Sequence, residues 1–166
     1  HEMQLISHYS PEQTIHIEGF DHRLTTRLRL GTHGAVGHTT KGEAVLIYHQ
    51  YASHTLSPSI HSSLQLEDNR ITVDDRPTTL GGSQLLRTPS GHVLPLAFHD
   101  GLVRLPLRPY TDEEFTRMPH IDMTRDAPWS PLAYDQPARS QPSLPVSRIR
   151  QLHITSGTSS AARRLR

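Results

Sequence analysis

Residues 39–51 read TTKGEAVLIYHQY, and the fold turns on this stretch. The run Ala44–Tyr48 is continuously apolar rather than alternating, which suits a strand buried on both faces. Before it, Thr39-Thr40-Lys41-Gly42 supplies a hairpin turn, so a second strand is expected to run back alongside. That neighbour lies in TTRLRLG, residues 25–31, where Leu28 and Leu30 fall on one face and Arg27 and Arg29 on the other. Further upstream TIHIEGF alternates through Ile15 and Ile17 and breaks at Gly19. Between the strands, GTHGAVG at 31–37 reads as a loop plus strand with glycines at bends.

Beyond residue 52 the period changes. SPSIHSSLQLEDN, residues 57–69, predicts a short helix with Ser57 as cap, Pro58 at its first position, and Ile60, Leu64 and His61 facing inward. Strands follow in NRITVDD, SQLLRT, GHVLPLAF and GLVRLPLR, the last three joined by tight turns at TPSG and HDG into a three-strand meander. Pro95 and Pro106 place parts of these strands at edges or bulges. YTDEEFTRM then predicts a helix over 111–118, with Thr111 as cap, Glu114 completing a capping box and Pro119 stopping it. Five prolines between 128 and 145, with few apolar neighbours, leave residues 120–166 as mostly linker.

Composition bounds the function classes. The chain has 166 residues, 34% of them apolar, with three Phe and one Trp, which allows only a small core. There is no Cys, which removes disulfides, thiolate zinc sites and cysteine nucleophiles together. No apolar run reaches the roughly 18 residues that a membrane-spanning helix needs. Net charge is +1, yet residues 111–135 carry six acids against two Arg, and everything after Asp135 carries six Arg and no acid. The opening HEMQLISHYS has neither an initiator Met nor a charged-then-apolar leader, and reads as a piece of something longer.

Tests for chemistry return little. The thirteen His include His33/His38, His49/His54 and His54/His61, none at the i, i+4 spacing that sets two imidazoles on one helix face. The 31–37 glycines miss the dinucleotide spacing, and Gly81-Gly82-Ser83-Gln84 lacks the Gly-Lys-Ser/Thr of a phosphate loop. Ser62 and Ser63 lie beside His61, but adjacent helix positions do not face one another. Asp74 and Asp75, as consecutive strand residues, point to opposite faces and cannot share a proton. Asp112, Glu113 and Glu114 suit a helix N-terminus. No catalytic, cofactor-binding or metal-ligating residue is therefore assigned. The Arg-rich end offers weak nucleic-acid contact through phosphates, without an aromatic platform for base stacking, and an alternative reading is a non-catalytic β module with a nucleic-acid-binding basic tail.

Taken in order, TIHIEGFD, IHSSLQLEDNRITVDDRP, LGGSQLLRTPSGHVLPLAFHDGL and LRPYTDEEFTRMPHIDMTRDAPWSPLAYD resemble the protease region of copia-type retrotransposon Gag-Pol polyproteins, over about residues 5–135. The resemblance implies a mainly β fold: a partial retropepsin-like barrel with one short helix over 1–77, a β-meander extension over 78–110, and a linker over 111–166 ending in a disordered Arg-rich tail. Gly81, Gly82, Ser83 and Gln84 match the family's Gly-Gly-x-Gln stretch, and Asp100-Gly101-Leu102 its next turn. The family's catalytic element is an Asp-Ser/Thr-Gly motif, one per protomer of a dimer, and no Asp here begins one. The implied product is an N-terminally truncated aspartic-protease-like region, inactive as given. A longer natural chain would instead be an active homodimeric endopeptidase processing its own polyprotein. Implied partners are a second copy through the protease-like core and, for the active form, the polyprotein. The implied location is cytoplasmic, within virus-like particles at its most specific.

Overall fold

The computed structural model describes residues 2–18, 25–52 and 59–135, so the readings placed on Gly19, His54, Ser57, Pro58 and the tail after Asp135 lie outside the described residues. The unit His1–Leu132 holds every strand and both α-helices described. Its first strands are β1 (Gln4–His8), β2 (Thr14–Glu18), β3 (Thr25–Thr39) and β4 (Gly42–Ala52). The β3–β4 hairpin is the axis of the fold. Thr39 pairs with Gly42 across the two-residue turn, and Gly42 takes a φ of 111° that a side chain would resist.

Ala44 through Tyr48 are all buried, as a strand covered on both faces should be. Ala44, Leu46 and Tyr48 point into the larger core, while Val45 and Ile47 point the other way and pack with Val36. On its far edge β3 is flanked in tandem by β2, β1 and β10 (Leu107–Arg108). The Tyr9–Gln13 loop joins β1 to β2 along that edge, for Tyr9 N–H donates to Leu30 O and Leu30 N–H to Gln13 O.

The glycine-rich stretch 31–37 differs from its expected form. It is not a loop with bends but the buried middle of the longest strand. Its glycines are there for close approach: a Cβ on Gly37 would stand 2.5 Å from Leu46 Cδ1, and one on Gly34 2.9 Å from the Tyr110 ring.

The helix α1 (Ser63–Asp68) begins at Ser62, whose hydroxyl accepts from Gln65 N–H. Residues 59–62 are not helical, and Ile60, expected to face inward, is 85% exposed. The Ser62-x-x-Gln65 spacing is itself a cap signature, and it wins over the upstream Ser-Pro pair. Leu66 carries the apolar face.

The expected meander is rearranged by its prolines. β5 (Thr72–Asp74), β6 (Leu85–Arg87) and β7 (Val93–Pro95) form one three-stranded antiparallel sheet. GHVLPLAF breaks at Pro95, where Leu96 N–H turns to Gln84 O, and its second half becomes β8 (Ala97–His99). Among the described residues β8 pairs only with β9 (Leu102–Arg104), and after Pro106 the chain joins β3 as β10. Pro95 ends β7, an edge strand of its sheet as expected, and each proline, lacking an N–H, also marks where a ladder stops.

After Tyr110 the helix α2 (Asp112–Arg117) has the expected capping box between Thr111 and Glu114. Phe115 and Met118 pack against Val36, Val45 and Ile47. The segment expected as linker then adds β11 (His120–Asp122), parallel to β4, with Ile121 and Met123 buried in the larger core. Strands from 1–77, 78–110 and 111–135 thus share one sheet. Among the described residues the fold is mainly β, and its sheets do not close into a barrel.

Candidate functional site

Polar groups converge where the hairpin is irregular. The β3–β4 register skips between Gly31 and His33, and across from it Gln50 adopts a φ of 58°. A bulge of this kind re-aims side chains, and a non-glycine residue at positive φ is held there by its surroundings. One consequence is that Tyr48 and Tyr51, three apart, enter the same core. The other is that His49 turns toward Thr32 of β3 and toward β11 and the turn after it.

His49 Nδ1 lies 3.1 Å from Thr32 Oγ1. The Thr32 hydroxyl donates to Tyr9 Oη at 3.3 Å, and the Tyr9 hydroxyl donates to Asp126. One line of polar contacts thus runs from the His49 imidazole through the Thr32 and Tyr9 hydroxyls to the Asp126 carboxylate. Asp122 Oδ1 sits 3.5 Å from His49 Nε2, and Asp126 Oδ1 sits 3.7 Å from Nδ1. Burial, followed by the Asp126 carboxylate, raises the Tyr9 phenol above its ordinary value. Beneath the imidazole, Thr124 takes the backbone N–H of His49 at 2.7 Å and donates to its carbonyl at 2.9 Å. Gln65 Nε2 donates to that same carbonyl from α1.

The arrangement ties the β1–β2 loop, β3, β4, α1, β11 and the turn after it together. Thr32, whose hydroxyl links the imidazole to Tyr9, is only 8% exposed. The two carboxylates are largely exposed and meet an imidazole from two sides. Chemically this is a fastening, held by hydrogen bonds through Thr32, Tyr9, Thr124 and Gln65 with the two carboxylates alongside.

Of the residues singled out from sequence, His49 lies at this centre, and the other described ones fall elsewhere. His33 is buried, which pushes its imidazole down, and His38 is exposed on the opposite face of β3. His61 stacks on Tyr48 and Tyr51, with Tyr51 Oη 3.2 Å from its Nδ1. Burial pushes the His61 imidazole down to about 4. Ser62 is spent on the α1 cap. Asp74 accepts from Ser83 N–H at 2.8 Å and from Arg76 N–H at 3.3 Å, and the Ser83 bond leads in holding its carboxyl below the usual range. Asp75 is exposed beyond the end of β5.

Gly81 and Gly82 shape the same corner. Gly81 closes a 310 turn (Thr78–Leu80) at φ 79°, and Gly82 lies so close to Arg76 that a Cβ would meet its carbonyl oxygen at 2.0 Å. Glu114 is held down to about 2, first by Arg108, which also pairs with Glu43. Among the described residues no group of three or more His, Asp or Glu is arranged to hold a metal ion, and no helix is long and apolar enough to cross a membrane.

Sequence reasoning missed the His49 knot. Tyr9 and Asp126 stand 117 positions apart, and nothing local marks either as the other's partner. At the level of class, the fold and this fastening define a mainly β module built around one long hairpin. No protein-family model matches the chain, and no curated protein or solved structure matches it.

Proposed function

We propose that the chain is the sheet-forming, non-cleaving part of a retropepsin-like region in a copia-type retroelement polyprotein, acting as a folded spacer between polyprotein segments. The observation that carries this reading is where the resembling motifs put their apolar residues. Leu66 and Ile71 come from IHSSLQLEDNRITVDDRP, Leu86 and Leu94 from LGGSQLLRTPSGHVLPL, and Ile121 and Met123 from PHIDMTRD, and all six share one core with Ala44, Leu46 and Tyr48. Motifs that cooperate in one core belong to one module.

Acid proteolysis needs two carboxylates sharing a proton above a bound water. Asp74 is taken up by two backbone amides, and Asp122 and Asp126 are turned to His49. The purified chain, digested against a peptide library at pH 5 to 6, is expected to show no cleavage that an aspartic-protease inhibitor suppresses. Inhibitor-sensitive cleavage abolished by Asp74→Asn or Asp122→Asn would overturn the non-cleaving reading.

A further inference from the structure

Among the described residues the β8–β9 hairpin stands apart from the other two sheets, with neither strand paired to a further strand. All six of its strand residues are exposed, among them Phe98 at 40%, Leu102 at 61% and Val103 at 38%. A two-stranded hairpin is marginal in water by itself, and an open apolar edge invites another strand. We propose that this hairpin is a self-association edge, where β9 of one copy pairs antiparallel with β9 of a second copy about a twofold axis through Val103.

Three features single out a second copy. First, the register is self-complementary. Asp100 and Gly101 form a two-residue turn with φ of 50° and 75°, and His99 faces Leu102 beside it. In such a hairpin the pair next to the turn is hydrogen-bonded and the next pair, Phe98 and Val103, turns its amides outward. Val103 N–H and C=O are therefore offered together, so two copies exchange both bonds at one position.

Second, the charges match. Centring on Val103 sets Arg104 of one copy opposite Leu102 of the second copy and diagonal to the second copy's Asp100, within reach of a guanidinium. The Asp100 carboxylate is 78% exposed in the side chain and already oriented by His99 at 3.2 Å. Third, Val103 and Phe98 lie side by side on one face, so pairing continues an apolar stripe across four strands. This surface is separate from the self-association expected through residues 1–77.

Sedimentation equilibrium of the full chain tests the proposal. The wild type is expected to pass from monomer to dimer with rising concentration. Val103→Lys, which sets like charges on the axis, and Arg104→Glu, which opposes Asp100, are each expected to weaken the dimer at least about tenfold. Mixing Arg104→Glu with Asp100→Lys restores both charge pairs and is expected to form a heterodimer tighter than either variant's homodimer. Unchanged melting curves establish that the variants fold. A wild type that stays monomeric up to about 1 mM, or a dimer as tight in Val103→Lys as in the wild type, overturns the proposal.

Discussion

At the scale of single residues, the cost of a glycine depends on what surrounds it. Gly81 and Gly82 are adjacent, yet a Cβ at Gly81 meets nothing within 4 Å, whereas at Gly82 it runs into the Arg76 carbonyl. Gly81→Ala is expected to cost about 1 kcal/mol, for positive φ alone. Gly82→Ala is expected to cost about 3 kcal/mol or more, because backbone must move. Urea denaturation of the two variants ranks them. His61 supplies a pH dependence. Its imidazole is held down to about 4 by burial against Tyr48 and Tyr51, from 6.5 when free. The unfolded chain therefore takes up a proton first as pH falls. The stability from this site is complete above pH 6.5 and is lost between 6.5 and 4, by at most about 3 kcal/mol. Denaturation midpoints measured across that window are expected to fall in the wild type and to flatten in His61→Phe.

At the scale of elements, the attachment of β11 to β4 rests on Thr124, whose hydroxyl meets both backbone groups of His49 while being fully buried. Thr124→Val keeps the shape and leaves a buried N–H unpaired and the carbonyl with Gln65 alone, at about 1–3 kcal/mol. Amide exchange is expected to quicken at Ile121 and Met123 well before it does at Val36 or Leu46. Uniform quickening would show that Thr124 supports the whole sheet instead. Local patterns made some elements readable and others not. Ala44–Tyr48, the Thr39–Gly42 turn and the Thr111 capping box all depend on neighbours within a few positions, and each formed where the sequence placed it. The glycines at 31 and 34 were misread because their partners, Leu5, Ile6 and Tyr110, are distant in sequence, and Gly37 because its contact with Leu46 depends on the hairpin register. The meander failed for a related reason: Pro95 and Pro106 say where a ladder stops, but not which sheet receives the chain afterwards. The His49 knot had no local signature at all.

At the scale of the whole molecule, the least expected feature is that residues after Tyr110 are part of the core. Prolines and charge dominate that region, so its few apolar residues carried little weight in a compositional reading. Ile121 and Met123 are nonetheless 7% and 0% exposed, and Phe115 and Met118 cover Val36, Val45 and Ile47. A chain ending at Tyr110 would lose those four side chains, and Val45 and Leu46 would lose their β11 neighbours in the ladder. At about 1.5–3 kcal/mol for fully burying a large apolar side chain, and less for the half-buried Phe115 and Met118, the deficit is comparable to the lower part of the roughly 5–15 kcal/mol that separates a folded domain from its unfolded chain. The 1–110 chain is thus expected to show no cooperative melting transition and to associate through the exposed edge of β4, while the full chain melts as one unit. Scanning calorimetry distinguishes the two outcomes, and a cooperative transition in the 1–110 chain at the full chain's temperature would return residues 111–135 to the role of a linker.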